Sequence, residues 1–146
     1  MFCLDTNVIV VLLNGRQPSV RSKFDAARAA GMPLVLSVIA LFELRFGAAN
    51  SARRGENQRV LDELLEGEIE ILAFDPADAM EAGEIRAHLR ASGRPIGPYD
   101  IPIAAQARRR GATMATSNTR EFERVPGLQS VDWAARARGR LRSAQA

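Results

Sequence analysis

A chain of 146 residues is long enough for one domain that buries about 70% of the surface its unfolded form exposes, so it needs no staple to fold. Cys3 and His88 are its only cysteine and histidine, which excludes an intramolecular disulfide, a cysteine-built zinc site and catalysis by paired imidazoles. Net charge is +3, and Lys23 is the only lysine among 20 basic residues; planar Arg forks suit a phosphate-bearing partner, although an Ala- and Arg-rich composition also follows from genomic base bias.

In chain order, "FCL" (2–4) reads as a short buried strand, and "VIVVLL" after it as either a buried helix or more strand. Asp5 stands at the junction, followed by Thr6 and Asn7; it is either an N-cap for a helix or one member of an acidic site. Helical periodicity covers 16–30, and "PLVL" (33–36) is the next strand. The segment 37–50 is a helix capped by Ser37 in which Val38, Ile39, Leu41, Phe42, Leu44 and Phe46 leave no face to water, so burial all round is expected. Glu43 lies in its middle, and a buried Glu needs a partner, whether an Arg such as Arg45 or a shared cation. Six residues along the helix is about 9 Å, and side chains lean toward the helix N-terminus, so Glu43 reaches back toward the strand ends.

A helix over 53–67, the strand "IEILAF" (69–74) and a helix over 76–92 carrying His88 on its surface come next. The loop "GRPIGPYD" ends at Asp100, at or beside the N-cap of a helix over 101–110 whose Pro102 suits a first turn and which stops at Gly111. The strand "ATMAT" (112–116) runs out into "SNTREF", placing Thr116, Ser117 and Asn118 at another strand end with Glu121 one turn later; Asn118 or Thr119 also suits a cap for the short helix "TREFERV". The strand "LQSVDW" (128–133) closes the series. After Asp132 the chain has four Arg and no acid, either a solvated basic tail or a contact for phosphate or a partner.

Strands alternating with helices imply a three-layer α/β/α domain over 1–133 with a central parallel sheet of four or five strands. Residues 134–146 form a basic tail, either part of the same domain or flexible. No run of about 18 apolar residues occurs, and no basic residue precedes the first apolar run, so a soluble cytoplasmic protein is expected, with no membrane partner. Right-handed crossovers bring the carboxyl ends of all strands to one edge, and that edge receives Asp5, Asp100 and, by its reach, Glu43. Two carboxylates about 5 Å apart cost about 3 kcal/mol at an effective dielectric of about 20. Such a cluster therefore calls for a cation, and hard oxygen ligands suit Mg²⁺ or Mn²⁺.

The stretches "LDTNVI", "LSVIALFELRFG", "GRPIGPYDIPIAAQA", "TSNTREFERVPGL" and "VDW", in this order and spacing, resemble the PIN-domain ribonucleases of the VapC and FitB toxin type along nearly the whole chain. The resemblance implies an acidic pocket binding Mg²⁺ or Mn²⁺, endonucleolytic cleavage of RNA, a homodimer, and inhibition by a cognate antitoxin protein. Carried onto this sequence, the first three acids of the family match Asp5, Glu43 and Asp100. Many PIN domains have an Asp where this chain has Asn118, which leaves Glu121 as the candidate for a fourth acid. On this reading Asp5 and Asp100 are metal ligands, Glu43 completes the ligand set or accepts a proton, and Thr6, Asn7, Ser37, Thr116 and Asn118 orient them. The alternative is a PIN-like module that binds RNA or protein without cutting. "LDTN" is also similar to the haloacid-dehalogenase phosphohydrolases, but Asn7 occupies the place of their second Asp, and Lys23 comes too early for their lysine. The small and apolar residues of "EIRAHLRASG" and "FDAARAAG" exceed what one sheet face requires, which suits a homodimer.

Overall fold

The structure, a computed structural model, describes residues 1–135. The four arginines of the tail, and nearly all of the predicted tail itself, lie outside the described residues. Five parallel strands, β1 (Phe2–Leu4), β2 (Leu34–Ser37), β3 (Ile69–Leu72), β4 (Thr113–Ala115) and β5 (Gln129–Val131), form one sheet in the order β3-β2-β1-β4-β5. The helices α1 (Thr6–Asn14), α2 (Pro18–Ala29), α3 (Val38–Ala49) and α4 (Arg54–Leu65) fall between β1 and β3, whereas α5 (Pro76–Ala91), α6 (Asp100–Arg109) and α7 (Thr119–Phe122) follow β3. Right-handed crossovers put the first four helices on one face and the last three on the other, as their mutual packing bears out.

The central strands are apolar because both their faces are covered: Cys3, Leu4, Val35, Leu36, Met114 and Ala115 are all fully buried. The run "VIVVLL" resolves as helix despite its β-branched residues. Both edges of β1 are already taken by β2 and β4, so no ladder is open to it. Asp5 caps it, and Val8, Ile9 and Leu12 supply a buried stripe at helical spacing.

Burial all round α3 does not hold. Phe42 is 58% and Phe46 63% exposed, and Glu43 is only partly buried. The helix packs Ala40, Leu44 and Ala48 inward, and Phe42 and Phe46, one turn apart, take the opposite side.

The chain order moves outward from β1 to β2 and β3 on one side, then returns to β4 on the other. The crevice between the carboxyl ends of β1 and β4 is therefore the topological switch point, where open α/β sheets bind ligands. Asp5 leaves β1 there, its backbone N–H donating to the Ala115 carbonyl at 3.0 Å.

Candidate active site

Asp5 is 4% exposed and heavily bonded. Its Oδ1 accepts from the Thr6 backbone N–H at 2.8 Å, with the Thr6 hydroxyl farther off at 3.4 Å. Its Oδ2 accepts from the Thr116 hydroxyl at 2.7 Å and the Asn7 amide at 3.1 Å. The two readings of Asp5 are thus compatible: one oxygen caps α1 while the other faces the switch point. Asn7 straps the two strand ends together, donating to Thr116 Oγ1 at 3.3 Å and accepting from the Ser117 N–H at 3.1 Å. Burial pushes the Asp5 carboxyl up from its ordinary value, and the bonds from Thr116, Thr6 and Asn7 pull against it.

Asp100 is not a cap. Tyr99 occupies the N-cap position of α6 and Asp100 is its first helical residue, so its carboxylate is left for the crevice. Burial raises Asp100 to about 7, with the negative charges of Asp5, Glu121 and Glu43 adding to the effect. Burial and the charge of Asp5 likewise raise Glu43. The acids of three separate elements therefore share one field. The ion pairs among the described residues include none of Asp5, Glu43, Asp100 or Glu121. The expected rival partner of Glu43 is engaged elsewhere, because Arg45 bonds Asp62 at 2.6 Å and Gln58 at 2.8 Å on α4.

Glu121 differs from the other three. One of its oxygens accepts from the Gly97 N–H and the other from the Asn118 side-chain amide. Asn118 in turn donates its backbone N–H to Thr116 Oγ1 at 2.9 Å. Glu121 is a clamp on the loop that delivers Asp100. Ser37 lies apart from these bonds: fully buried, it accepts from the Ile39 N–H at 3.0 Å and caps α3.

Gly97 went unnoticed in the sequence. A Cβ there would stand 2.8 Å from Asp100 Oδ2 and 3.5 Å from Glu121 Oε1, so a larger residue makes the Asp100 carboxylate shift. The two Gly and two Pro of "GRPIGPYD" were the available signal.

Among the described residues no three His, Cys, Asp or Glu side chains close into a ready-made ion cage. By chemistry the donor set fits a hard divalent ion, since it consists of carboxylate oxygens, and burial and the charge of Asp5 raise the proton affinity of Glu43 and Asp100. Cys3 is fully buried in β1, and burial, chiefly, pushes its thiol up to about 12.

The family model of the PIN domain matches residues 2–128. The chain belongs to the VapC branch of the PIN-domain family. It is 40% identical over 132 residues to the tRNA(fMet)-specific endonuclease VapC of Shigella flexneri, covering 90% of this chain and 97% of that one. A Salmonella typhimurium protein of the same name is 36% identical over 132 residues, with 90% and 97% covered. Among solved structures, the DNA-bound VapBC complex of Salmonella typhimurium superimposes with a TM-score of 0.82 at 36% identity, covering 90% of this chain and 97% of that one. The FitAcB complex of Neisseria gonorrhoeae gives a TM-score of 0.75 at 30% identity, covering 91% and 98%. In this PIN domain the departure at Asn118 gains a physical sense: its amide donates a hydrogen bond to Glu121, where an Asp would set a second negative charge against it.

Proposed function

We propose that this PIN domain is a metal-dependent endoribonuclease, the toxin of a toxin-antitoxin pair, hydrolysing RNA phosphodiester bonds at the crevice between β1 and β4. The observation that carries the reading is the gathering of Asp5, Glu43 and Asp100 at the crevice, where burial and the charge of buried Asp5 raise both other acids and no described ion pair supplies a countercharge. Asp5 and Asp100 hold Mg²⁺ or Mn²⁺, and Glu43 either completes the ligand set or accepts the proton of the attacking water at its carboxylate. When bound, the ion supplies the positive charge that acidifies water and neutralises the attacked phosphodiester. Thr116, Asn7 and the Thr6 N–H fix the Asp5 carboxylate, and the Gly97–Glu121–Asn118 clamp fixes Asp100, so neither must reorganise during the reaction.

The Shigella flexneri relative is named for tRNA(fMet), which makes tRNA the first substrate to test. An antitoxin partner is supported by the VapBC and FitAcB complexes among the solved neighbours. Its place is the groove between α1, α3 and α4, which opens at Thr6 and Glu43 and is lined by Leu44, Gly47 and Val60, with Val10 48% exposed and Leu13 38% exposed on its rim. An apolar segment laid there also closes the mouth of the site. A homodimer and a cytoplasmic location complete the proposal; among the described residues no helix is long and apolar enough to cross a membrane.

The test is cleavage of purified tRNA by the full chain with Mg²⁺, with Mn²⁺ and with chelator. Cuts that appear with either ion and vanish in chelator and in Asp5→Asn support the reading. Cutting that persists in chelator, or none under any condition, overturns it.

A further inference from the structure

Two exposed aromatic rings stand next to the acids in sequence and next to each other in space. Phe42 precedes Glu43 on α3, Tyr99 precedes Asp100 on α6, and their ring centroids lie 6.1 Å apart with planes tilted by 59°. They are 58% and 52% exposed, an unusual outlay of apolar surface beside an anionic crevice. Phe46, 63% exposed, continues the strip one helical turn along α3. Arg94 and Arg120 are exposed on the two segments that Glu121 ties together, and neither forms an ion pair among the described residues.

We propose that Tyr99 and Phe42 form a stacking platform for an unpaired nucleobase beside the scissile phosphate, with Arg94 and Arg120 receiving the neighbouring phosphates. The inference rests on the endoribonuclease reading and names how that site takes its substrate. Size favours a base over a protein. Even with Phe46 included, three half-exposed rings offer about 300 Å², against about 800 Å² that each partner contributes to a stable protein interface. A nucleobase presents a flat face of matching dimensions, and stacking accepts any base, so the platform selects for unpaired RNA rather than for a sequence. A duplex keeps its bases stacked on one another and has none to offer. The position explains the acids' neighbours: a base held on Tyr99 puts its own phosphate within one nucleotide of Asp100, and the arginines offset the repulsion between RNA and the carboxylates.

The experiment uses single-stranded RNA carrying a fluorescent adenine analogue, titrated with the full chain in chelator, where nothing is cut; stacking on a ring quenches the probe. Wild type is expected to quench it, Tyr99→Phe to match wild type, and Tyr99→Ala and Phe42→Ala each to bind about tenfold more weakly with the quenching reduced. In Mg²⁺ the two alanine variants should raise KM with kcat nearly unchanged, and Arg94→Ala and Arg120→Ala should weaken binding while leaving the quenching at saturation intact. Circular dichroism melts show whether each variant is folded, and Tyr99→Leu, which keeps apolar bulk without a stacking ring and should likewise lose quenching, keeps the test decisive should either alanine variant unfold. If wild type cuts RNA but Tyr99→Ala and Phe42→Ala keep its KM and its quenching, the platform is refuted and the nuclease reading stands. If those variants instead lose only self-association or antitoxin binding, the rings belong to a protein interface and the proposal fails. If wild type neither binds nor cuts RNA, both fall together.

Discussion

Asp5 and Asp78 are both buried aspartates, yet they are opposites in their electrostatics. Asp78, fully buried near the N-terminus of α5, accepts from Arg109 at 2.5 Å, Arg110 at 3.1 Å and the Gln106 amide at 3.2 Å, and shares a capping box with Asp75. Burial alone would raise it, but the Asp75 N–H and then Arg110, Arg109 and Gln106 outweigh burial and hold it well below the usual carboxylate range. Asp5 receives neutral donors only, and these do not offset burial, so its carboxyl is raised. The protein thus answers the same cost in two ways. Asp78 comes with its guanidinium groups, and Asp5 is held by neutral donors alone.

Removing a charge from each region is the strongest way to break the comparison. Asp5→Asn and Asp100→Asn should abolish RNA cleavage, with at least about a thousandfold loss, while the far-ultraviolet circular dichroism spectrum stays that of wild type; normal turnover by both would show that the raised acids are idle. Gly97→Ala leaves every acid in place but sets a methyl group against Asp100 Oδ2, and the displaced carboxylate should cost about a hundredfold in kcat. Asp78→Ala should do the reverse. It should destabilise the fold by about 2–3 kcal/mol in urea titration, because Arg109 and Arg110 lose their partner, and leave the activity of the folded fraction unchanged.

Acidity sharpens the contrast further. Asp5, Glu43 and Asp100 all have folded-state values raised above their ordinary ones, so each contributes stability that is fully present below the usual carboxylate range and is lost as pH rises through its folded value, about 7 for Asp100. In chelator the melting temperature should therefore fall between about pH 4 and about pH 7. Excess Mg²⁺ should reverse that fall, its stabilising effect growing with pH as the acids ionise. A melting temperature equally indifferent to Mg²⁺ at both ends would mean that no ion binds there. Asp78 titrates in the opposite sense, since its folded value is depressed: its stability is present above the usual carboxylate range and lost in acid. The smallest effect is expected at the clamp. Asn118→Asp should tighten Mg²⁺ binding several-fold by calorimetry, and Glu121→Gln should weaken it less than Asp100→Asn does, because both Glu121 oxygens are already engaged.

Much of the molecule was legible in its sequence. The five strands and the long helices follow from runs and periods of apolar residues, because burial on both faces of a parallel sheet leaves a continuous apolar signature. Asp5 and Glu43 stood out because an acid in an apolar setting is costly, and that cost can be read without coordinates. Asp100 was visible by its place at a helix start and by the family resemblance, and Asn7 and Thr116 by their places at strand ends. Asp78 was not singled out, since an acid at the start of a helix is unremarkable until Gln106, Arg109 and Arg110 are seen to reach it from another helix.

What only the tertiary structure decided is which groups meet. Local pattern could not choose between helix and strand for "VIVVLL", as that depended on β2 and β4 already occupying both edges of β1. The apolar character of α3 suggested burial, but whether Phe42 and Phe46 are covered depends on where the neighbouring helices end. Arg45 was within reach of Glu43 on paper and goes to Asp62 in space. Gly97 matters solely because the fold brings it to 2.8 Å, measured from a would-be Cβ, from one oxygen of Asp100. Composition and period report how each residue prefers to meet water, which is a property of the residue. Contact between residues far apart in the chain is a property of the packed whole, and here that packing gives Asp78 its arginines and leaves Asp5 among neutral donors.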